Sequence, residues 1–120
     1  SVAAGGLIET YCDVQENLDI SDVLKKKNVF ALTVNGDSMI DACIADGDMV
    51  LIEPITDSYS LRNGTIVSAL VPGLGTTLKY FFKRSGKIFL EAANPSYKPI
   101  ELDLNEVVFQ GKLLAVWRKV

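Results

Sequence analysis

The chain has 120 residues, of which 48% are hydrophobic and 22% charged, and its formal net charge is −3. This length suits one domain with a buried core, and this composition is typical of a folded rather than a disordered chain. An acidic balance disfavours direct binding to nucleic-acid phosphates, which needs a clustered positive surface. No apolar run approaches the roughly 18 residues of a membrane-spanning helix, so we expect no membrane partner.

The absence of histidine from the chain excludes whole classes of site. A Ser-His-Asp triad, a Cys-His dyad and an imidazole metal ligand are all impossible. Cys12 and Cys43 are too few for a disulfide scaffold and lack the spacing of metal ligands. We therefore expect two reduced thiols in a cytoplasmic protein, with no metal and no cofactor. If the chain is an enzyme, its general base must be Lys, Asp, Glu, Tyr or a terminal amine.

The beginning of the chain differs in character from the rest. Residues 1–6 are small and predict an exposed arm, and residues 19–24 predict one helical turn capped by Ser21. The three lysines that follow predict a solvated turn, and a further helical turn is predicted at 40–44. The predicted strands, in chain order, are 29–34, 49–54, 65–71, 76–84, 88–93, 100–104 and 107–120.

These short runs, separated by turn residues, predict one mostly β domain. The glycine-containing loop at 72–75 predicts a hairpin between the strands that flank it. No segment carries a long helical stripe. We therefore expect a twisted, partly closed antiparallel sheet of six to eight short strands with little helix, because closure protects strand edges.

The sequence G-D-S-M at residues 36–39 follows a predicted strand directly. Ser38 therefore lies in a turn that exposes its hydroxyl and can leave backbone N–H groups pointing outward. A nucleophile with its own oxyanion hole requires such a position. A serine after a strand is also commonly a turn residue that hydrogen-bonds its own backbone, and Ser-Met by itself does not decide between these readings.

Lys79 lies in a predicted strand among aromatic and β-forming residues rather than among charges. Strand alternation places Thr77, Lys79 and Phe81 on one face. A buried ammonium loses its hydration, which lowers the lysine pKa, and a neutral amine can take the proton of a serine hydroxyl. Patterning alone favours the other reading, a lysine on the solvent side of an edge strand.

Taken together, these segments resemble the C-terminal, self-cleaving peptidase domain of LexA-type repressors, a family that includes phage repressors and UmuD. The resemblance covers nearly the whole chain and is specific because its elements occur in the family's order. The matching segments are V-A-A-G at 2–5 (cleavage site), 29–54 with G-x-S-M and D-G-D (nucleophile), 61–71 and 76–84 (lysine hairpin), and 92–103 and 109–118 (C-terminal part).

The resemblance implies a Ser-Lys peptidase that needs neither histidine nor metal. Ser38 would be the nucleophile, and Lys79 the general base that later protonates the leaving amine. The backbone N–H groups of Ser38 and Asp37 would form the oxyanion hole. The Asp37 carboxylate would raise the lysine pKa if it pointed inward, so we expect it to point to solvent.

The resemblance also places the substrate on the same chain. Ala4-Gly5 would be the scissile bond, and Val2 and Ala3 would belong to the recognised segment. Cleavage would then be intramolecular, and the protein would be a serine endopeptidase that acts on itself.

Further expectations concern domains and partners. Residues 1–18 would be the cleavage-site arm and linker, and residues 19–120 the peptidase and dimerisation domain. Homodimers would form through the region from Val107 to Trp117, where Trp117 is either an interface residue or a core residue. Operator DNA would be bound only by an N-terminal domain that this chain does not include, and an activated RecA filament would stimulate cleavage in the DNA-damage response.

Other readings remain open at this point. UmuD-like polymerase accessory proteins typically carry Cys-Gly at the cleavage site, so Ala4-Gly5 favours a repressor. Signal peptidase also uses a Ser-Met nucleophile and a lysine, but it needs membrane anchors. A dimerisation or effector-binding module that has lost catalysis, and regulates other genes, is the alternative from a different class. The presence of both Ser38 and Lys79 argues against that loss.

Overall fold

The computed structural model describes residues 25, 26 and 28–119. The predicted arm, the helical turn at 19–24 and the cleavage site lie outside the described residues. Three-residue 3-10 helices lie at Ile40–Ala42, Ser58–Ser60 and Leu104–Glu106, and no helix in the described range is long and apolar enough to cross a bilayer. The strands are β1 (Phe30–Thr33), β2 (Met49–Pro54), β3 (Thr65–Val71), β4 (Gly75–Arg84), β5 (Lys87–Glu91), β6 (Ile100–Leu102) and β7 (Val108–Trp117).

The strands of this range form one sheet in the order β1-β2-β7-β3-β4-β5-β6, with every neighbouring pair antiparallel. The prediction of a mostly β, antiparallel domain of short strands with little helix is confirmed. Within the described strands the edges β1 and β6 do not pair, so the sheet is not a closed barrel. The predicted hairpin is β3 followed by β4, in register from Thr65 opposite Phe81 to Val71 opposite Gly75.

The two faces of β4 contribute to different hydrophobic clusters, because successive side chains of a strand point to opposite faces. Phe81 packs in one cluster, where its ring meets that of Phe109 edge-on with centroids 5.3 Å apart. Leu78 and Tyr80 pack against the other cluster, which contains the fully buried Met39. Burying a side chain of this size stabilises the fold by roughly 2 kcal/mol, and here it anchors the residue that follows Ser38.

A bulge interrupts the pairing of β7 with β3. The register shifts between Ser68 and Ala69, which leaves Gln110 as an extra residue on β7. The Ser68 hydroxyl is fully buried and donates to Oε1 of Gln110 at 2.6 Å. The bulge therefore provides a hydrogen-bond acceptor for the buried Ser68 hydroxyl, which would destabilise the fold if it had no partner.

Gly111, beside that bulge, lies where β7 passes close to β2. A Cβ at this position would overlap the carbonyl oxygen of Glu53 and would lie 2.9 Å from the carbonyl carbon of the same residue. Side-chain carbons do not approach backbone atoms this closely. The absence of a side chain at Gly111 therefore permits the two strands to pair.

Trp117 ends β7 and is 65% exposed. Its reading as a core residue is therefore wrong. It pairs across the sheet with Met49 on β2, whose side chain is also exposed. Met49 and Trp117 therefore form an exposed apolar surface at the end of β7, whereas Val116 points to the opposite face of the sheet.

Candidate active site

Ser38 lies in the loop between β1 and the first 3-10 helix. Gly36 has φ of 94°, in the left-handed region that side chains with a Cβ rarely adopt, so the chain can turn sharply after β1. The backbone N–H of Ile40 donates to the carbonyl oxygen of Asp37 at 3.2 Å and closes a turn around Ser38. This turn holds Ser38 half-buried beside the sheet.

The D-G-D turn at residues 46–48 supports the start of the loop that carries Ser38. Oδ1 of Asp46 accepts a hydrogen bond from the backbone N–H of Gly36 at 2.7 Å. The backbones of Val34 and the turn exchange two further bonds, Val34 N–H to the Asp48 carbonyl and Gly47 N–H to the Val34 carbonyl, each at 2.8 Å. The acidic turn therefore fixes the backbone immediately before Asp37 and Ser38.

Asp48 is a buried carboxylate that is ionised at neutral pH. Arg118 donates to both of its oxygens, from Nε at 2.8 Å and from Nη2 at 2.6 Å, and the backbone N–H of Ala45 donates at 2.8 Å. These hydrogen bonds lower the pKa of Asp48 to about 2. Arg118 also donates to the carbonyl of Cys43 at 3.1 Å, so it ties the end of β7 to the loop after Ser38. Cys43 itself is exposed and free.

Lys79 lies on β4, an interior strand of the sheet, and is only 9% exposed. This position excludes the reading of a solvent-facing lysine on an edge strand. Burial lowers the pKa of the Lys79 amine because the ammonium loses hydration. A larger fraction of this lysine is therefore neutral at a given pH than for a lysine in water.

The structure brings Ser38 and Lys79 together, although they are 41 residues apart in the chain. Lys79 Nζ lies 3.0 Å from Ser38 Oγ, 2.6 Å from Thr77 Oγ1 and 3.2 Å from the carbonyl oxygen of Leu78. An ammonium donates to all three oxygens. A neutral amine keeps two N–H bonds, for Thr77 and Leu78, and directs its lone pair toward the Ser38 hydroxyl. The surroundings of Nζ therefore suit both protonation states of a base.

Thr77 was not among the predicted site residues. Thr77 and Lys79 are two residues apart on one strand, so their side chains lie on the same face of the sheet. This alternation of strand side chains is the sequence signal that could have identified Thr77 as a neighbour of the lysine amine. Its hydroxyl oxygen accepts a hydrogen bond from Lys79 Nζ at 2.6 Å, which fixes the direction of the lysine side chain.

A cleft of about 400 Å³ opens beside the Ser38 and Lys79 side chains. Its walls are partly apolar, and Leu32, Val34, Met39 and Leu78 contribute to them. A volume of this size lies in the range of clefts that bind small ligands.

Asp37 is exposed, and its carboxylate accepts a hydrogen bond from the Tyr97 hydroxyl at 2.6 Å. This bond raises the pKa of Tyr97, because it favours the protonated phenol beside a negative charge. Tyr97 also lines the cleft. No sequence signal identified this contact, since Asp37 and Tyr97 are 60 residues apart and meet only through the fold.

The predicted oxyanion-hole donors are the backbone N–H groups of Asp37 and Ser38. Within the part of the chain that the structure describes, neither group donates a hydrogen bond to another residue. The predicted cleavage-site residues Val2, Ala3, Ala4 and Gly5 lie outside that part.

A serine hydroxyl in contact with a buried lysine amine is a pairing in which a base other than histidine could take the hydroxyl proton. In a comparison with known families, the model of the Peptidase S24-like family matches residues 1–114. The chain belongs to this family, and its fold is of serine-peptidase type. The resemblance stated from the sequence is thereby confirmed.

Three curated relatives that match the chain are LexA proteins. The chain is 43% identical over 118 residues to the LexA repressor of Erythrobacter litoralis (98% of this chain, 49% of the relative) and 38% identical over 118 residues to that of Koribacter versatilis (98% and 54%). It is 32% identical over 114 residues to the transcription regulator LexA of a Synechocystis species (95% and 56%). The chain spans about half the length of these relatives and is a LexA-like S24 domain.

Proposed function

We propose that this chain is the C-terminal domain of a LexA-like repressor and that it cleaves its own Ala4-Gly5 bond with Ser38 and Lys79. The observation that supports this most directly is the 3.0 Å separation of Lys79 Nζ and Ser38 Oγ, with the lysine buried on an interior strand. Contact of a hydroxyl with an amine of lowered pKa is what activation of a serine nucleophile requires.

In the proposed reaction, neutral Lys79 takes the proton of the Ser38 hydroxyl as Oγ attacks the carbonyl carbon of Ala4. The negative charge on the carbonyl oxygen is stabilised by the backbone N–H groups of Ser38 and Asp37. The Lys79 ammonium then gives its proton to the nitrogen of Gly5, which leaves. Water, activated by the neutral amine, hydrolyses the acyl ester on Ser38 and regenerates the hydroxyl.

The substrate is proposed to reach the site by folding back along the cleft. Ala3 and Ala4 have small side chains and Gly5 has none, so this segment needs little space in the cleft. The apolar side chain of Val2 can pack against the apolar part of the cleft wall. Residues 1–18 would form this arm and linker, and residues 19–120 the catalytic and dimerising domain. Holding the bond on the same chain gives it a high effective concentration.

The proposed partners follow from the LexA likeness. The exposed apolar surface of Met49 and Trp117 supports homodimer formation through the end of β7. Operator DNA would be bound by a separate N-terminal domain, and a RecA filament would stimulate cleavage by favouring the docked arm. The site of action would be the cytoplasm.

The defining experiment is incubation of the chain at mildly alkaline pH, followed by mass spectrometry. We expect loss of residues 1–4, with a first-order rate that does not change when the protein concentration is doubled, because cleavage occurs within one molecule. The matched Ser38→Ala chain should remain intact. A rate that doubles with concentration would show cutting between molecules, and an intact wild-type chain would favour the non-cleaving effector module.

The cleavage rate should rise with pH and then level off. Only neutral Lys79 acts as a base, and burial lowers its pKa, so the neutral fraction grows as the pH passes upward through that lowered value. We expect this rise on the alkaline side of neutrality in the absence of an activator. A rate that is flat from about pH 6 to about pH 10, with circular dichroism showing a retained fold, would remove lysine from the mechanism.

A further inference from the structure

The segment at residues 93–97, which follows β5, contacts the loop that carries Asp37 and Ser38. Asn94 Nδ2 donates to the carbonyl oxygen of Asp37 at 3.0 Å. The other end of the same amide is occupied, because Asn94 Oδ1 accepts the backbone N–H of Ser96 at 2.9 Å. Since that end faces an N–H donor, the NH₂ group of Asn94 is the end that faces Asp37.

The carbonyl that Asn94 contacts belongs to the peptide unit that also contains the N–H of Ser38. The described peptide bonds contain no cis isomer, so this unit is a planar trans peptide whose C=O and N–H point in opposite directions. Because the Asp37 carbonyl oxygen is held pointing toward segment 93–97, the Ser38 N–H is held pointing away from that segment.

From these contacts we propose that Asn94 is a positioning residue, which holds the Asp37–Ser38 peptide plane so that the Ser38 N–H is aimed as an oxyanion-hole donor. The inference rests on the proposed function, since it assigns a support to the same reaction. Asn94 touches no reacting atom and acts only through the peptide.

A second donor reaches the same carbonyl oxygen. The backbone N–H of Ile40 lies 3.2 Å from it, so both lone pairs of the Asp37 oxygen are used. Hydrogen bonds to a carbonyl oxygen polarise the whole amide and strengthen its N–H as a donor. Ile40 belongs to the local turn, whereas Asn94 comes from 57 residues away, so Asn94 ties the orientation of this peptide to the folded sheet.

Asn94→Asp isolates the contact. One carboxylate oxygen can still accept the Ser96 N–H and keep the turn, but the other oxygen has no hydrogen to donate to Asp37. We expect the plateau cleavage rate to fall at least about tenfold, because a misdirected donor stabilises the oxyanion poorly. Asn94→Ala removes the same contact without adding a charge, so its plateau rate should also fall while the pH midpoint of cleavage stays where it is in the wild type. Ser96→Ala, which removes a hydroxyl outside these contacts, should cleave at the wild-type rate.

The backbone amide of Ser38 provides a readout that does not need cleavage. Its 15N chemical shift responds to hydrogen bonding at the carbonyl of the same peptide, so it should move in Asn94→Asp and in Asn94→Ala, but not in Ser96→Ala. A loss of folding alone would instead broaden or displace signals throughout the sheet.

The outcomes separate this inference from the proposed function. Wild-type cleavage with an unchanged plateau rate in Asn94→Asp would overturn the positioning role and leave the peptidase proposal standing. A wild-type chain that never cleaves would contradict the peptidase proposal, and the Ser38 amide shift would then decide the inference alone. A Ser38 amide 15N chemical shift that is the same as in the wild type in both Asn94 variants would overturn the positioning role of Asn94.

Discussion

Replacing Lys79 by arginine should lower the rate of self-cleavage by at least about a thousandfold. When two catalytic groups act as a unit, the loss of either one removes most of the rate enhancement. Arginine keeps the positive charge on a side chain slightly longer than that of lysine, but it is not deprotonated in proteins, so it cannot accept the Ser38 proton. Ser38→Ala should have an effect of similar size, measured by mass spectrometry of the released residues 1–4. The double variant should be no slower than either single one.

Lys79→Met is the matched test of whether such a loss comes from chemistry or from misfolding. Methionine keeps an unbranched apolar side chain in the buried position without the ammonium, whose desolvation opposes folding. We expect this variant to be inactive and to unfold in urea at a concentration no lower than the wild type. Cleavage by Lys79→Met or Lys79→Arg at the wild-type rate would assign the base to another group.

Gly111→Ala should destabilise the domain by at least about 2 kcal/mol, as expected when a side chain is forced into a close-packed site. The added Cβ would overlap the backbone carbonyl of Glu53 and would lie 2.5 Å from Cγ2 of Ile52, whose fully buried side chain has no free space to move into. The pairing of β7 with β2 would therefore have to loosen near the centre of the sheet. Urea unfolding followed by circular dichroism measures the change.

Val108→Ala on the same strand is the control for this substitution. Val108 is exposed, so trimming it should change the free energy of unfolding by no more than about 0.5 kcal/mol. Equal stability of Gly111→Ala and the wild type would mean that β2 and β7 are further apart in solution than the structure has them.

The sequence predicted local features well because each depends on neighbouring residues. The strands and the β3–β4 hairpin follow from β-forming runs and glycine turns, and the shared face of Thr77 and Lys79 follows from strand alternation. The bond between Arg118 and Asp48 and the reach of Asn94 to Asp37 could not be predicted in this way. They depend on which strands become neighbours, and this order is not encoded in any short window of residues.

The sheet order also constrains when the site can be completed as the chain is synthesised. Ser38 belongs to the β1–β2 side of the sheet and Lys79 to the β3–β6 side, and β7, the last of the described strands in sequence, is the one that pairs with both sides. On a ribosome, the two halves of the proposed dyad emerge before the strand that joins them. Among the pairings of the described strands, those that join the serine half to the lysine half are therefore the last that translation makes available.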